Sequence, residues 1–277
     1  MKRFVAGLVG ISGLLAAGVA SAQNPIPNND WRQQDRPTRG QRYDSPQSFA
    51  FELRFGPYYP EVDEELADKP GSPAPYKDIF GDSAQFYFGL EFDWLPLRIP
   101  YVGLLGPGFG WGFTHTSGSA TKEGSCQPGV AKSCVATAQE TAFTIMPMHL
   151  SAVLRADELM RRTGIPIVPY AKLGLGFATW SVSTVNGVAD AKECNASGTC
   201  SDVKGRDTTW GIHMALGGML ALNFLDPHYA ASLDESTGVN HVYFFGEWMN
   251  AQLDGLGSRP QMHVGTSTWV VGMAMDM

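Results

Sequence analysis

The chain has 277 residues, with 20 basic and 27 acidic side chains and a formal charge of −7. That balance argues against nucleic acid as a partner, because phosphate binding requires a basic surface. Charged residues make up 17%, below the ~25% usual for soluble domains. Aromatic residues reach 11% and glycine 32 positions, a mixture suited to a β-barrel whose outside is lipid.

The first 25 residues read MKRFVAGLVGISGLLAAGVASAQNP. Lys2 and Arg3 form a positive leader, Phe4 to Val19 an apolar stretch, and Ala20-Ser21-Ala22 a small-residue site. This order predicts a secretory signal peptide over residues 1–22, cleaved between Ala22 and Gln23. Losing Lys2 and Arg3 takes the formal charge from −7 to −9. Residues 23–47, rich in Pro, Asn, Gln and Arg, read as a disordered tail, and 48–277 as one domain. Past the leader no stretch approaches ~18 consecutive apolar residues, so no spanning helix is expected.

From Ser48 the chain carries eight alternating segments. In SFAFELRFG, Phe49, Phe51, Leu53 and Phe55 oppose Ala50, Glu52 and Arg54. In FYFGLEFDWLPL, Phe86, Phe88, Leu90, Phe92 and Trp94 oppose Tyr87, Gly89, Glu91 and Asp93. Strand geometry sends each set to its own face. The third segment, 101–114, alternates Phe109, Trp111 and Phe113 with glycines of period 2, which are strand positions and not a phosphate loop. The fourth, 140–155, changes phase around Pro147, and a bulge is expected there. In the fifth, 167–182, Ala171, Leu173, Leu175 and Phe177 oppose Tyr170, Lys172, Gly174 and Gly176. The sixth, 208–224, sets Trp210, Met214, Leu216 and Leu220 against His213 and Gly217. The seventh, 241–253, opposes Phe244 and Trp248 to Tyr243, Phe245 and Glu247. The eighth, 267–277, opposes Trp269, Val271 and Met273 to Val270, Gly272 and Asp276.

Eight segments near the ~9–11 residues needed to cross a bilayer predict an all-β fold, a single antiparallel transmembrane barrel. Connections at 57–83, 116–138 and 183–207 are long, polar and Gly/Ser-rich. Those after the second, fourth and sixth strands are a turn at 96–100 and two compact segments, 156–164 and 225–238. An even strand count puts both termini on the compact side, expected to be periplasmic. The four cysteines form two local pairs, Cys126 with Cys134 and Cys194 with Cys200, read as two disulfides stiffening the outer loops. Their spacing does not suit zinc.

The face assignment follows from what each face must tolerate. Glu52, Arg54, Glu91, Asp93, Lys172, His213 and Glu247 carry both signs among many glycines, a poor solvated surface and a good crowded lumen. An eight-stranded interior is just wide enough for side chains to fill. The aromatic faces therefore turn to lipid, with Trp94, Trp180, Trp210 and Trp269 near strand ends as an interfacial girdle. The inverted arrangement is a soluble lipocalin-like carrier.

The words FELRFGPYYPEVDEE, FGLEFDWLPLRIPYVGLLGPGFGWGFT and GVNHVYFFGEW resemble a family of myxobacterial outer-membrane β-barrel proteins. The resemblance extends over nearly all the chain from about Ser48. It implies an integral outer-membrane barrel without an assigned activity, whose partners are outer-membrane lipid and the barrel insertion machinery. The ending MAMDM departs from the terminal Phe or Trp of many such barrels; Met277 keeps the apolar phase only.

Catalytic motifs such as G-x-S-x-G, H-E-x-x-H and the P-loop do not occur. His115 with Ser117 and His263 with Ser267 are read as polar loop-edge residues; the rival reading is a lipid enzyme at the rim. The lumenal acids are read as partners of Arg54 and Lys172 and not as metal ligands. The acidic run EVDEELADK at 61–69 lacks calcium-loop spacing and reads as solvated charge. The functional expectation is a structural or surface-interaction role without catalysis or cofactor, the alternative being a small pore or passive transporter.

Overall fold

A computed structural model describes residues 48–64, 74–121, 135–194, 200–225, 236–256 and 261–277. The expected signal peptide with Ala22 and Gln23, the tail, and Cys126 and Cys134 lie outside the described residues.

Eight strands form the wall: β1 (Phe49–Tyr58), β2 (Gln85–Trp94), β3 (Gly103–Thr121), β4 (Ala136–Arg155), β5 (Ile167–Thr184), β6 (Arg206–Ala221), β7 (His241–Gln252) and β8 (Thr266–Asp276). Each pairs antiparallel with its chain neighbours, and β8 returns to β1, closing a barrel without free edges. Glu52 lies opposite Glu91 on β2 and Ala274 on β8, and Trp248 opposite Trp269, so the register keeps like parities together around the wall.

The barrel is inside out. Glu52 and Arg54 are 0% exposed, whereas Leu216 is 69% and Trp269 54% exposed. Trp94, Phe86, Phe92, Phe109, Leu150, Leu173, Leu175, Trp210 and Phe244 share that outer face. Phe49 and Phe92 stack there with ring centroids 5.5 Å apart, and Phe177 meets Trp210 at 5.2 Å.

The wall is uneven in height. β1, β2, β7 and β8 have 10 to 12 residues, whereas β3, β4, β5 and β6 have 16 to 20. Much of what was expected as loop at 116–138 and 183–207 is therefore strand. A hairpin, Asp190–Cys194 with Cys200–Lys204, lies within the second of these stretches. On the terminal side, Leu97–Ile99 pairs back onto Gly103–Leu105, moving the expected turn at 96–100 to Pro100–Val102. The sixth segment stops short as well: β6 ends at Ala221, and Leu222–Phe224 form a 3-10 turn.

No bulge occurs at Pro147. Met146, Pro147 and Met148 face Thr179, Ala178 and Phe177 in unbroken register, and the wall's irregularity lies between Ser119 and Thr121. The backbone keeps its phase while the chemistry changes sides. Along β4, Phe143 and Ile145 are buried before Pro147, and His149, Ser151 and Arg155 after it, all on one parity.

Candidate functional site

The lower lumen, toward the chain termini, holds one connected set of charges. Arg54 on β1 meets Glu91 on β2 at 2.5 Å and also pairs with Glu247 on β7. Lys172 on β5 donates to Glu52 at 2.7 Å and to Glu91 at 2.9 Å. Arg155, at the end of β4, donates to Asp276 on β8 (2.7 Å), Glu52 (2.9 Å) and Asp93 (2.8 Å). Tyr170 on β5 donates to Glu247 at 2.7 Å. Six strands are thereby tied across the barrel axis, and every charged member is buried.

The two remaining strands supply an imidazole and room. His213 on β6 makes no ion pair with these acids; it stacks on His149 of β4, ring centroids 3.7 Å apart and nearly parallel. His149 Nε2 lies 3.5 Å from Glu91 Oε1. β3 passes behind with Gly110, where any Cβ would run into the His149 ring. Gly112 likewise leaves the space that the Tyr87 ring fills. The period-2 glycines are thus a consequence of the bulky cargo opposite them.

Sequence reasoning grouped Glu52, Arg54, Glu91, Asp93, Lys172 and Glu247 correctly on one face, and the fold brings them into contact. It missed Arg155, Asp276 and His149. Arg155 and His149 were hidden by the supposed phase change at Pro147. Asp276 already stood opposite the aromatic set of β8, a signal that parity alone carried. Among the described residues, no set of three or more His, Cys, Asp or Glu is arranged to hold a metal ion.

The upper lumen, toward the longer loops, is aromatic. Tyr58 stacks on Tyr87 at 5.9 Å and donates to Val264 O at 2.5 Å. Above them sits α1 (Pro75–Phe80), whose Tyr76 and Phe80 each lie 5.9 Å from the Phe143 ring. The first long connection is thus in part a lid that inserts rings into the mouth. Asp63 fixes it by accepting from the α1 amides of Tyr76 (2.9 Å) and Lys77 (3.0 Å). These are among the donors a helix start leaves free. One acid of the run at 61–69 is therefore a helix cap. A second, Glu61, donates its backbone N–H to Gly265 O at 3.1 Å. Burial, with Glu64 and Asp254 nearby, raises its carboxyl to about 7.

Trp180 differs from the other expected girdle residues. It lies on the inward parity of β5, packs against the upper core, and donates its indole N–H to Thr209 Oγ1 at 3.3 Å. Trp94, Trp210 and Trp269 are exposed on the outer face. At the rim, His115 Nδ1 is 2.9 Å from Thr144 Oγ1, and Ser267 Oγ accepts from Asn250 at 3.2 Å. Cys194 and Cys200 are backbone partners in the register of their hairpin.

No protein-family model and no curated protein matches the chain. Solved structures do. Ail, the attachment invasion locus protein of Yersinia pestis solved with the heparin analogue sucrose octasulfate, is 12% identical. That match covers 83% of this chain and 97% of that one, with a TM-score of 0.36. The outer membrane protein OprG from Pseudomonas aeruginosa is 14% identical, covering 83% and 96%, with a TM-score of 0.46. The N-terminal β-barrel domain of Pseudomonas aeruginosa OprF is 9% identical, covering 83% and 98%, with a TM-score of 0.30. The fold assigned to this chain rests on its own strand pairing.

Proposed function

We propose that this chain is an integral barrel of the bacterial outer membrane with a plugged lumen. Its role is structural or one of surface interaction, without catalysis. The observation that carries this reading is the reversal of faces: buried Glu52, Arg54, Glu91 and Lys172 inside, exposed Phe, Leu and Trp outside. An exposed apolar belt on every strand is stable in hydrocarbon and prone to aggregate in water. The cross-axis ion pairs and the aromatic lid argue against the pore alternative. They fill the interior with groups whose removal from their partners is costly.

The decisive experiment combines envelope fractionation with gel migration before and after boiling. A band in the outer-membrane fraction that shifts on boiling is the expected result; recovery in the soluble periplasm overturns the reading. In planar bilayers the purified protein should give no steady conductance, and a stable open level would favour a pore instead.

Three finer points belong to the same proposal. The longer strand ends face outward and the termini face the periplasm, so trypsin on intact cells should cut at Lys204 and spare Arg161 and Arg162. Cys194 and Cys200 form a disulfide, supported by their pairing across the hairpin, and Cys126 with Cys134 a second, supported by spacing; reduction should expose four thiols to alkylation. Membership in the myxobacterial barrel family rests on the strand-and-turn words quoted above. Outer-membrane lipid and the insertion machinery follow as partners.

A further inference from the structure

The tall side of the wall changes character in register. One outward row across β3–β6 is Trp111, Met148, Phe177 and Trp210. The next row toward the loops is Phe113, Met146, Thr179 and Thr208, and the one after it His115, Thr144, Ser181 and Arg206. Rows are two residues apart, roughly 6.6 Å at strand rise. On β5 and β6 the surface therefore passes from aromatic to hydroxyl to a polar row ending in Arg206 within about 13 Å.

A groove of about 380 Å³ is cut into these two upper rows, lined by Thr144, Met146, Thr179, Trp180, Ser181, Thr208 and Arg206. Asp207 also borders it, but its Oδ1 accepts from the backbone N–H of Thr208 at 2.7 Å. The volume falls within the range of small-molecule clefts and far exceeds a bare phosphate. The hydroxyls of Thr179, Ser181 and Thr208 match sugar hydroxyls, Met146 and Trp180 offer apolar area to a sugar ring, and a guanidinium at the upper end matches phosphate.

We propose that this groove seats the phosphorylated sugar headgroup of an outer-leaflet glycolipid whose acyl chains lie on the Trp111–Trp210 row. The proposal rests on the outer-membrane reading with the long strand ends outward. Continuity with the apolar belt selects a lipid over a soluble sugar phosphate. The hydroxyls of Thr179, Ser181 and Thr208 beside Arg206 select a glycolipid over a phospholipid, whose headgroup leaves them unmet.

The test is to purify the full chain from its native outer membrane in mild detergent. Phosphorylated glycolipid and phospholipid retained per barrel are then counted by native mass spectrometry. The wild type should keep about one glycolipid, and Arg206→Glu should lower retention about tenfold. Arg162→Glu, at the opposite end of the barrel, should leave it unchanged. Both substituted positions are exposed, and the boiling shift verifies that each variant is folded. Titrating glycolipid into the delipidated protein and following tryptophan emission gives a second readout, since Trp210 is adjacent. Equal retention by wild type and Arg206→Glu, or phospholipid in place of glycolipid, overturns the inference while a boiling shift leaves the barrel reading intact. Absence of the protein from the outer membrane overturns the barrel reading itself.

Discussion

The two halves of the lumen solve the same problem with opposite chemistry. Toward the termini the interior is ionic and the exterior apolar. Beyond Pro147 the interior is aromatic, and the exterior of β3–β6 turns to Ser, Thr, His and Arg. One end of the molecule is thus inverted and the other is built like a small water-soluble domain. On the proposed outer-membrane reading, the difference follows from the solvent outside. Where hydrocarbon covers the wall, no hydrophobic gain comes from filling the lumen with rings, and cross-axis ion pairs fix the shape instead. Where water covers the wall, burying Phe143, Tyr76, Phe80 and Trp180 is itself stabilising.

The largest test of that contrast is Arg155→Ala. It strands Asp276 and Asp93, two buried carboxylates from two strands, leaves Glu52 with Lys172 alone, and should cost about 3–5 kcal/mol. Urea unfolding in detergent micelles measures it, and a cost under about 1 kcal/mol would mean that the ionic layer is not tying the walls together. Glu247→Gln should cost clearly less, because the layer carries more acids than cations and Tyr170 still has an oxygen to bond. A larger loss from Glu247→Gln than from Arg155→Ala would reverse that account of the charge balance.

Phe143→Ala probes the other half. Loss of a buried ring costs about 3 kcal/mol or more, but here the ring's partners are the lid and the upper core. The expected signature is local: amides of α1 exchange faster while those of β1 and β2 beside Arg54 keep their protection. Equal acceleration in both places would show that the two halves unfold as one. Asp63→Ala is a milder version of the same cut. It removes the acceptor for two helix-start amides, should cost about 1 kcal/mol, and should act on α1 alone.

The same contrast explains what was legible in the sequence. In the lower half one rule holds, apolar outside and polar inside, so parity alone places Glu52, Arg54, Glu91, Asp93 and Lys172. At the level of Pro147 the rule inverts while the backbone phase does not. Reading hydrophobicity as a face then produces a bulge that does not exist, turns Trp180 outward, and loses His149 and Arg155. The strand extensions of β3, β4 and β5 were misread for the same reason, since Ser- and Thr-rich outer positions look like loop. α1 was missed because it has six residues and its cap comes from Asp63, too far upstream for a local signal. What the sequence conceals here is the position of the solvent boundary, a property of the surroundings and not of any residue window.

The smallest predicted effect is a pH response confined to the upper half. Glu61 sits where the first connection meets the last: its N–H reaches Gly265 O, and Tyr59 N–H reaches Thr266 Oγ1 at 3.1 Å. Burial, Glu64 and Asp254 raise its carboxyl from the ordinary 4.5 to about 7, so the closed arrangement favours the protonated acid. For a group raised in the folded state, the associated stability is fully present below the ordinary value and is lost as pH rises through the raised one. The junction, and the α1 lid that Asp63 anchors two residues later, should therefore loosen between about pH 5 and about pH 8. Amide exchange at 59–64 and in α1, corrected for intrinsic rates, measures it. Glu61→Gln should be closed and flat across that range, since it keeps the shape of the protonated acid without the charge. If Glu61→Gln loosened in parallel with the wild type, the response would belong to another group, and the acidic run would be solvated charge apart from the Asp63 cap.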